Sequence, residues 1–482
     1  MANKRVLLLS ISALAVFMFS DALAGGFSVS AVGTRARSMA GAFRAVADDW
    51  SAVYYNPAGL ARMEQSQLGF GLGLDTYRPS FDPKVSQNGY SFGFPTGERY
   101  PDDLTAHIPS LSAVLVAPLG KPVSVGFAVY QPFDENLRWD IYRFPEGYDP
   151  NSGKLPQIEY TSNVDVVNFH TALATSFADD KLHVGVGFSI RRGDYLTGQM
   201  SLVPSTMPSP LNARPYDMLA KWSLIDVSGL GYGFNAGLLY DVNERISVGA
   251  SYQSKATIKM DGDVFVKLFT PDNQSIQSKY AEEEVDTLFS GYTMNAFHRA
   301  DVDMVVPSEF GFGVSYAASE KVTVAADVAF TRWSELKDVE TRYTESLGPL
   351  GVDAWPMIRQ ILMGEIAYPY NWDDAVRFSI GAEGLLNDRI KLRGGYSFDQ
   401  GAVPDEEASP LLTDTGNRHH FAAGASYLHD IFEFAGSAEL VALPERDVDS
   451  QSDSNNDGIW DNLSGTYKNT AFNVALSLTI KF

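Results

Sequence analysis

Four basic residues stand at polar positions of alternating runs. Arg191 follows Ile190, Arg377 lies between Val376 and Phe378, Lys391 lies between Ile390 and Leu392, and Arg393 follows Leu392. In a strand of period two, each projects to the face opposite its apolar neighbours. A cation on an enclosed face needs an anion. That anion is either the carboxylate of a bound ligand or an acid of the chain itself. The chain's own candidates are Asp327, inward by the same parity, and the early pair Asp48 and Asp49.

An apolar acid would also need an apolar groove. The stretch 195–224 offers Leu196, Met200, Leu202, Val203, Met207, Leu211, Met218, Leu219 and Trp222, and 263–297 adds Leu268, Phe269, Leu288, Phe289 and Tyr292. Methionine adapts to flexible ligands, although packing of these residues against each other accounts for the same composition. Separately, Asp453, Asn455, Asp457 and Asp461 surround Gly458 with the spacing of a calcium loop whose terminal glutamate is replaced by Ser464. A structural calcium ion in 453–461 and a plain solvated acidic loop both fit; no other cofactor is expected. Catalytic patterns are weak. There is no cysteine, His419-His420 lack zinc-ligand spacing, and no Ser-His pair is obvious. Gly185-Val186-Gly187 sits in an alternating run rather than in a phosphate loop. The expectation is no enzyme.

The elements that must position these residues are strands. In the final run, Phe472, Val474, Leu476, Leu478, Ile480 and Phe482 alternate with Asn473, Ala475, Ser477, Thr479 and Lys481. Strands are predicted at 66–78, 107–118, 121–133, 161–178, 180–194, 225–240, 243–262, 298–318, 320–337, 373–385, 388–399, 418–429, 431–443 and 466–482. The connections alternate between short turns and seven long loops, at 79–106, 134–160, 195–224, 263–297, 338–372, 400–417 and 444–465. Such sorting, with an even count of about fourteen, is expected of an outer-membrane β-barrel with short periplasmic turns and long extracellular loops. A soluble β-sandwich has no reason to sort its loops.

Lys4 and Arg5, the apolar run from Val6 to Phe19 and Ala22-Leu23-Ala24 read as a signal peptide over 1–24. Residues 25–63, rich in small side chains and closing on Asn56-Pro57-Ala58-Gly59-Leu60, precede the first strand; 64–482 form the barrel. A net charge of −22 argues against nucleic acid. Terminal Phe482 fits the signal by which barrel-assembly machinery recognises its clients.

Gly26-Phe27, Gly41-Ala42, Ala47-Asp48-Asp49 and Asn56-Pro57-Ala58-Gly59-Leu60 occur in the order seen in the FadL/TodX family. So do Thr331-Arg332-Trp333-Ser334, Leu392-Arg393-Gly394-Gly395-Tyr396-Ser397-Phe398-Asp399, Val403-Pro404-Asp405, Asp414 and Arg418-His419-His420. The chain resembles that family of outer-membrane transporters over essentially its whole mature length. The resemblance implies an all-β, fourteen-stranded monomeric transmembrane barrel in the outer membrane of a Gram-negative bacterium. Its lumen would hold an N-terminal hatch, with Asn56-Pro57-Ala58 near a kink of the third strand. It further implies capture of ligand by the loops at 195–224 and 263–297, and release sideways into lipid.

Two positions compete for the kink: Gly126, as a bend, and Pro132, which otherwise simply ends the strand. Passive uptake of a long-chain fatty acid is the first reading. Uptake of aromatic or aliphatic hydrocarbons, a lipase or esterase barrel, and a receptor or adhesin barrel are the alternatives.

Overall fold

The computed structural model describes residues 31–84, 105–120, 122–141, 160–213, 215–280, 283–351, 355–413, 416–449, 451–454, 456 and 461–482. The expected signal peptide, Gly26-Phe27, Asp414, Asn455 and Asp457 lie outside them. The fold is a closed antiparallel barrel of fourteen wall strands. The first six are Gln67–Tyr77, Ala106–Gly120, Val123–Trp139, Tyr160–Phe177, Leu182–Pro204 and Met218–Asn243. The seventh runs as Ile246–Gln253 and Ala256–Phe269, and the eighth as Thr293–Val306 and Glu309–Ser319. The remainder are Val322–Thr331, Ala375–Asn387, Ile390–Asp399, Arg418–His429, Phe432–Ala442 and Thr470–Lys481. Closure comes from the first strand, which pairs on one edge with the second and on the other with the fourteenth.

Parity works as the alternation predicts. Phe188 and Leu476 on the outer face are 52% and 67% exposed, whereas their neighbours Ser189 and Ala475 are buried inside. In water an apolar outer band of this extent would be unstable; against lipid it is the favourable arrangement.

Boundaries differ from the sequence reading where strands outlast the apolar band. The fifth and sixth strands pair without a break from Leu182↔Tyr240 to Pro204↔Met218, so most of the expected 195–224 loop is an extended hairpin. Backbone pairing there no longer needs an apolar partner face, and period two fades from the sequence. The expected unbroken strand at 298–318 is interrupted at Pro307, which has no N–H for the ladder, and that at 243–262 breaks at Ser254-Lys255. The expected 338–372 loop contains a further strand, Asp338–Leu347, which pairs with the eighth, and a helix, Pro356–Met363, whose Met357, Ile358, Ile361 and Leu362 are buried.

Candidate functional site

The described part of the N-terminal segment, residues 31–63, occupies the lumen. It touches strands around the whole ring, which only an interior position permits. Arginines make most of the anchors. Arg37 pairs with Asp75 of the first strand, Arg44 with Glu309 of the eighth, and Arg62 with Asp241 of the sixth. Arg35 donates to Glu383 of the tenth strand at 2.9 Å and also holds Asp48 and Asp49, at 2.5 and 3.6 Å. Asp327 of the ninth strand accepts the backbone N–H of Phe43 and of Arg44, at 2.9 and 2.8 Å. Trp50 Nε1 donates to Thr479 of the fourteenth. Strand parity identifies Asp327 as inward but does not single out these arginines. Their signal is four arginines against two acids, Asp48 and Asp49, in a segment rich in small and apolar residues.

Asn56 is completely buried. Its Nδ2 donates to the carbonyls of Arg44 and Leu238, and its Oδ1 caps the next turn by accepting Ala58 N–H. Pro57 and Ala58 press their backbone on Gly185, where any side chain would collide, and Gly59 packs the same way on the Ala47 carbonyl. Asn56-Pro57-Ala58 therefore packs on the fifth to seventh strands, and Leu60 of the same turn reaches the third. Gly126 of the third strand faces Val53 and Leu60: a Cβ there would come within 2.9 Å of Val53 Cγ2. Its function is close approach, not bending, since Gly126 stays in register with Val116 and Ala172 on both sides.

The irregularity of the third strand lies at Gln131-Pro132. Tyr130 pairs with Asn168 and Phe133 with Val166, so two residues oppose Val167 alone. Pro132 does not end the strand, which continues to Trp139. On the other edge, pairing with the second strand stops at Ala113↔Val129, although the second strand continues to pair with the first as far as Ala106. Above that point the wall has an open seam. A cleft of about 30 Å³ borders it, lined by Gly71 and Leu72 of the first strand, Leu111 and Ser112 of the second, Tyr130 and Gln131 of the third, and Val32 and Gly33 of the inner segment.

The four basic candidates separate sharply. Arg377 is bound to Asp399 at 2.5 Å, and Asp399 also holds Arg418 at 2.9 Å. Arg393 lies between Glu383 and Glu433, at 2.5 and 3.3 Å, and Lys391 is 3.7 Å from Glu383. These three belong to salt-bridge networks, because the tenth, eleventh and thirteenth strands bring acids onto the same inner face. Arg191 differs. It is 4% exposed, and among the described residues no carboxylate lies within ion-pair distance. Its Nε donates only to Ser189 Oγ, at 3.4 Å, and its Nη1 is buried without a partner. The guanidinium lies over Gly233, where a Cβ would stand 2.9 Å from Nη2. Asn168 pairs with Arg191 on one side and with Tyr130 on the other. Arg191 is thus two strand spacings, about 10 Å, from the seam.

Among the described residues, the expected apolar capture set lines neither of the two cavities. Met200, Leu202, Met207, Trp222, Leu268, Phe269 and Phe289 are buried in one core at the long-loop end, with Met218 packed against it. Leu196 faces the opposite side from Tyr195 and Thr197 and lies outside that core. The larger cavity, about 100 Å³, is lined instead by Tyr195, Thr197, Lys221, Tyr368, Tyr370 and Glu407 among others. Along the fifth strand Tyr195, Thr197, Gln199 and Ser201 share the face that lines the cavity, whereas Met200 and Leu202 alternate to the other and pack in the core.

In the calcium-like stretch, Asp461 Oδ2 accepts Ser454 N–H and Oγ–H; among the described residues no group of three metal-binding side chains assembles. His420 Nδ1 lies 3.0 Å from Glu439, within a buried polar network.

A Ser-His contact that sequence did not reveal forms at the short-turn end. Ser176 Oγ lies 2.8 Å from His183 Nδ1, and His183 Nε2 lies 3.1 Å from Asp241. Because Asp241 also holds Arg62 and Ser247, this row ties the end of the inner segment to the fourth, fifth and sixth strands.

The sequence profile described as outer membrane protein transport protein (OMPP1/FadL/TodX) matches residues 15–482. An outer membrane protein of Neisseria meningitidis serogroup B is 22% identical over 100% of this chain and 98% of its own length. The long-chain fatty acid transport protein of Escherichia coli K12 is 22% identical over 83% of this chain and 82% of its own. A Pseudomonas aeruginosa FadL homologue superposes with a TM-score of 0.74 at 17% identity, covering 95% of this chain and 100% of that one. The Pseudomonas putida toluene transporter TodX gives 0.65 at 15% identity, with 94% and 99% covered. The closed barrel with its apolar outer face and the match along nearly the whole sequence make this chain a member of the OMPP1/FadL/TodX family of outer-membrane transporters of hydrophobic compounds.

Proposed function

We propose that the chain takes up long-chain fatty acids by passive diffusion. In this reading Arg191 holds the carboxylate, residues 31–63 act as a hatch, and the ligand leaves sideways through the seam between the second and third strands. The observation that carries it is Arg191: a buried guanidinium without an acid is costly, and an incoming carboxylate removes that cost. Lateral exit suits an apolar chain, which gains free energy in lipid and would lose it in water. The long-chain fatty acid transport protein of Escherichia coli is a relative by sequence, and TodX is a structural neighbour; the inner cation favours an acid over a neutral hydrocarbon.

The test compares oleate with oleyl alcohol, which has the same chain without the charge, in wild type and Arg191→Gln. A charge-assisted contact contributes about 1.5–3 kcal/mol, so oleate affinity should fall about 10- to 150-fold while oleyl alcohol is unaffected. Equal loss for both ligands, or for neither, would refute the carboxylate role.

A further inference from the structure

At the seam, the register set by Ala113↔Val129 would next place Leu111 opposite Gln131, yet no ladder pairing forms there. The N–H of Leu111 donates instead to the side-chain Oε1 of Gln131, at 3.1 Å. The same amide uses its Nε2 to donate to Asp165 Oδ1 of the fourth strand, at 3.2 Å. One side chain therefore bridges three strands where the bulge has interrupted the backbone ladder.

We propose that Gln131 is the latch of the lateral opening. Its amide holds the second strand against the third and fourth when the seam is at rest, and it lets go as a ligand passes. Three features favour a latch over a simple brace. A side-chain bond can rotate away without unzipping a backbone ladder, because χ changes are faster and more local than strand separation. Pro132, beside it, has no N–H with which to re-form the ladder. The cleft that the amide borders is backed by Val32 and Gly33 of the inner segment, so displacement of that segment and release of the amide would open one continuous path. The proposal rests on sideways exit but not on the carboxylate role of Arg191.

The chain contains no cysteine, so an engineered pair reports without interference. Gln131→Ala and the double variant Leu111→Cys/Gln131→Cys are reconstituted in lipid vesicles and loaded with tritiated oleyl alcohol, an uncharged probe independent of Arg191. Equilibrium binding and the rate of transfer into the bilayer are measured separately, with heat-modifiable migration on gels confirming a folded barrel. Gln131→Ala should raise the transfer rate about tenfold, the effect of about one lost hydrogen bond, at unchanged equilibrium affinity. The oxidised double variant should block transfer and recover on reduction, to a rate at or above wild type. An unchanged rate in Gln131→Ala overturns the latch. Transfer that survives the disulfide overturns the seam as the exit. Failure of oleate discrimination by Arg191 would leave both of these results standing.

Discussion

Asp327→Ala tests whether the inner segment is held where the arginines and Asp327 place it. The carboxylate takes two backbone N–H groups, of Phe43 and Arg44, and lies 3.7 Å from the Arg44 guanidinium. It is 6% exposed, so truncation leaves those donors buried. Each orphaned group costs about 1–3 kcal/mol. Two of them weaken docking by about 2–6 kcal/mol, which is about 30-fold to about 10⁴-fold in the population of the undocked segment. The loss of compensation for Arg44 adds to this, although Glu309 keeps part of it.

Hydrogen exchange reads the change directly, because the amides of Phe43 and Arg44 lose protection by the same factor while the mid-wall amides of the ninth strand do not. A single-channel measurement should show higher conductance as the lumen opens. Asp327→Asn, which keeps an acceptor oxygen, should lose less. If Asp327→Ala leaves both exchange and conductance unchanged, the segment is held by shape alone and the anchoring argument fails.

Two further outcomes follow from the charged groups. Arg393→Ala should lower barrel stability by about 1–3 kcal/mol, since Glu383 and Glu433 lose a buried guanidinium but keep Arg35, Lys391 and Lys481; oleate binding to the folded fraction should be unaltered, and a selective loss of binding would return Arg393 to the ligand site. At the long-loop end, burial raises the Glu407 carboxyl from 4.5 to about 7, with nearby Asp461 adding to the shift. The folded state then holds an extra proton between those values, so the contribution is fully present below about 4.5 and is lost as pH rises through about 7. Intrinsic-rate-corrected exchange around Ala408 and Leu463, whose backbones bond to each other, should accelerate over that window and flatten in Glu407→Gln. A profile that is the same in both proteins would refute it.

The sequence by itself determined what period-two alternation encodes. Which residues face lipid, how many strands close the wall and which basic residues turn inward are local properties, because adjacent side chains in a strand must point to opposite faces. Val186, Phe188 and Ile190 outside and Arg191 inside follow from spacing alone. Tertiary structure decided which inward charges are already paired. Arg377 and Arg191 look alike along the chain, yet closure sets Asp399 beside the first and surrounds the second with neutral neighbours such as Ser189, Asn168 and Gly233.

It also decided between Gly126 and Pro132, both open in the sequence, by placing the irregularity of the third strand at Gln131-Pro132, and it set Asn56-Pro57-Ala58 against Gly185. Strand register and the path of a segment across a lumen depend on partners hundreds of residues away. The seam shows the same division: Pro132 is legible as a break, but that Gln131 spans it depends on Leu111 and Asp165 arriving from two other strands.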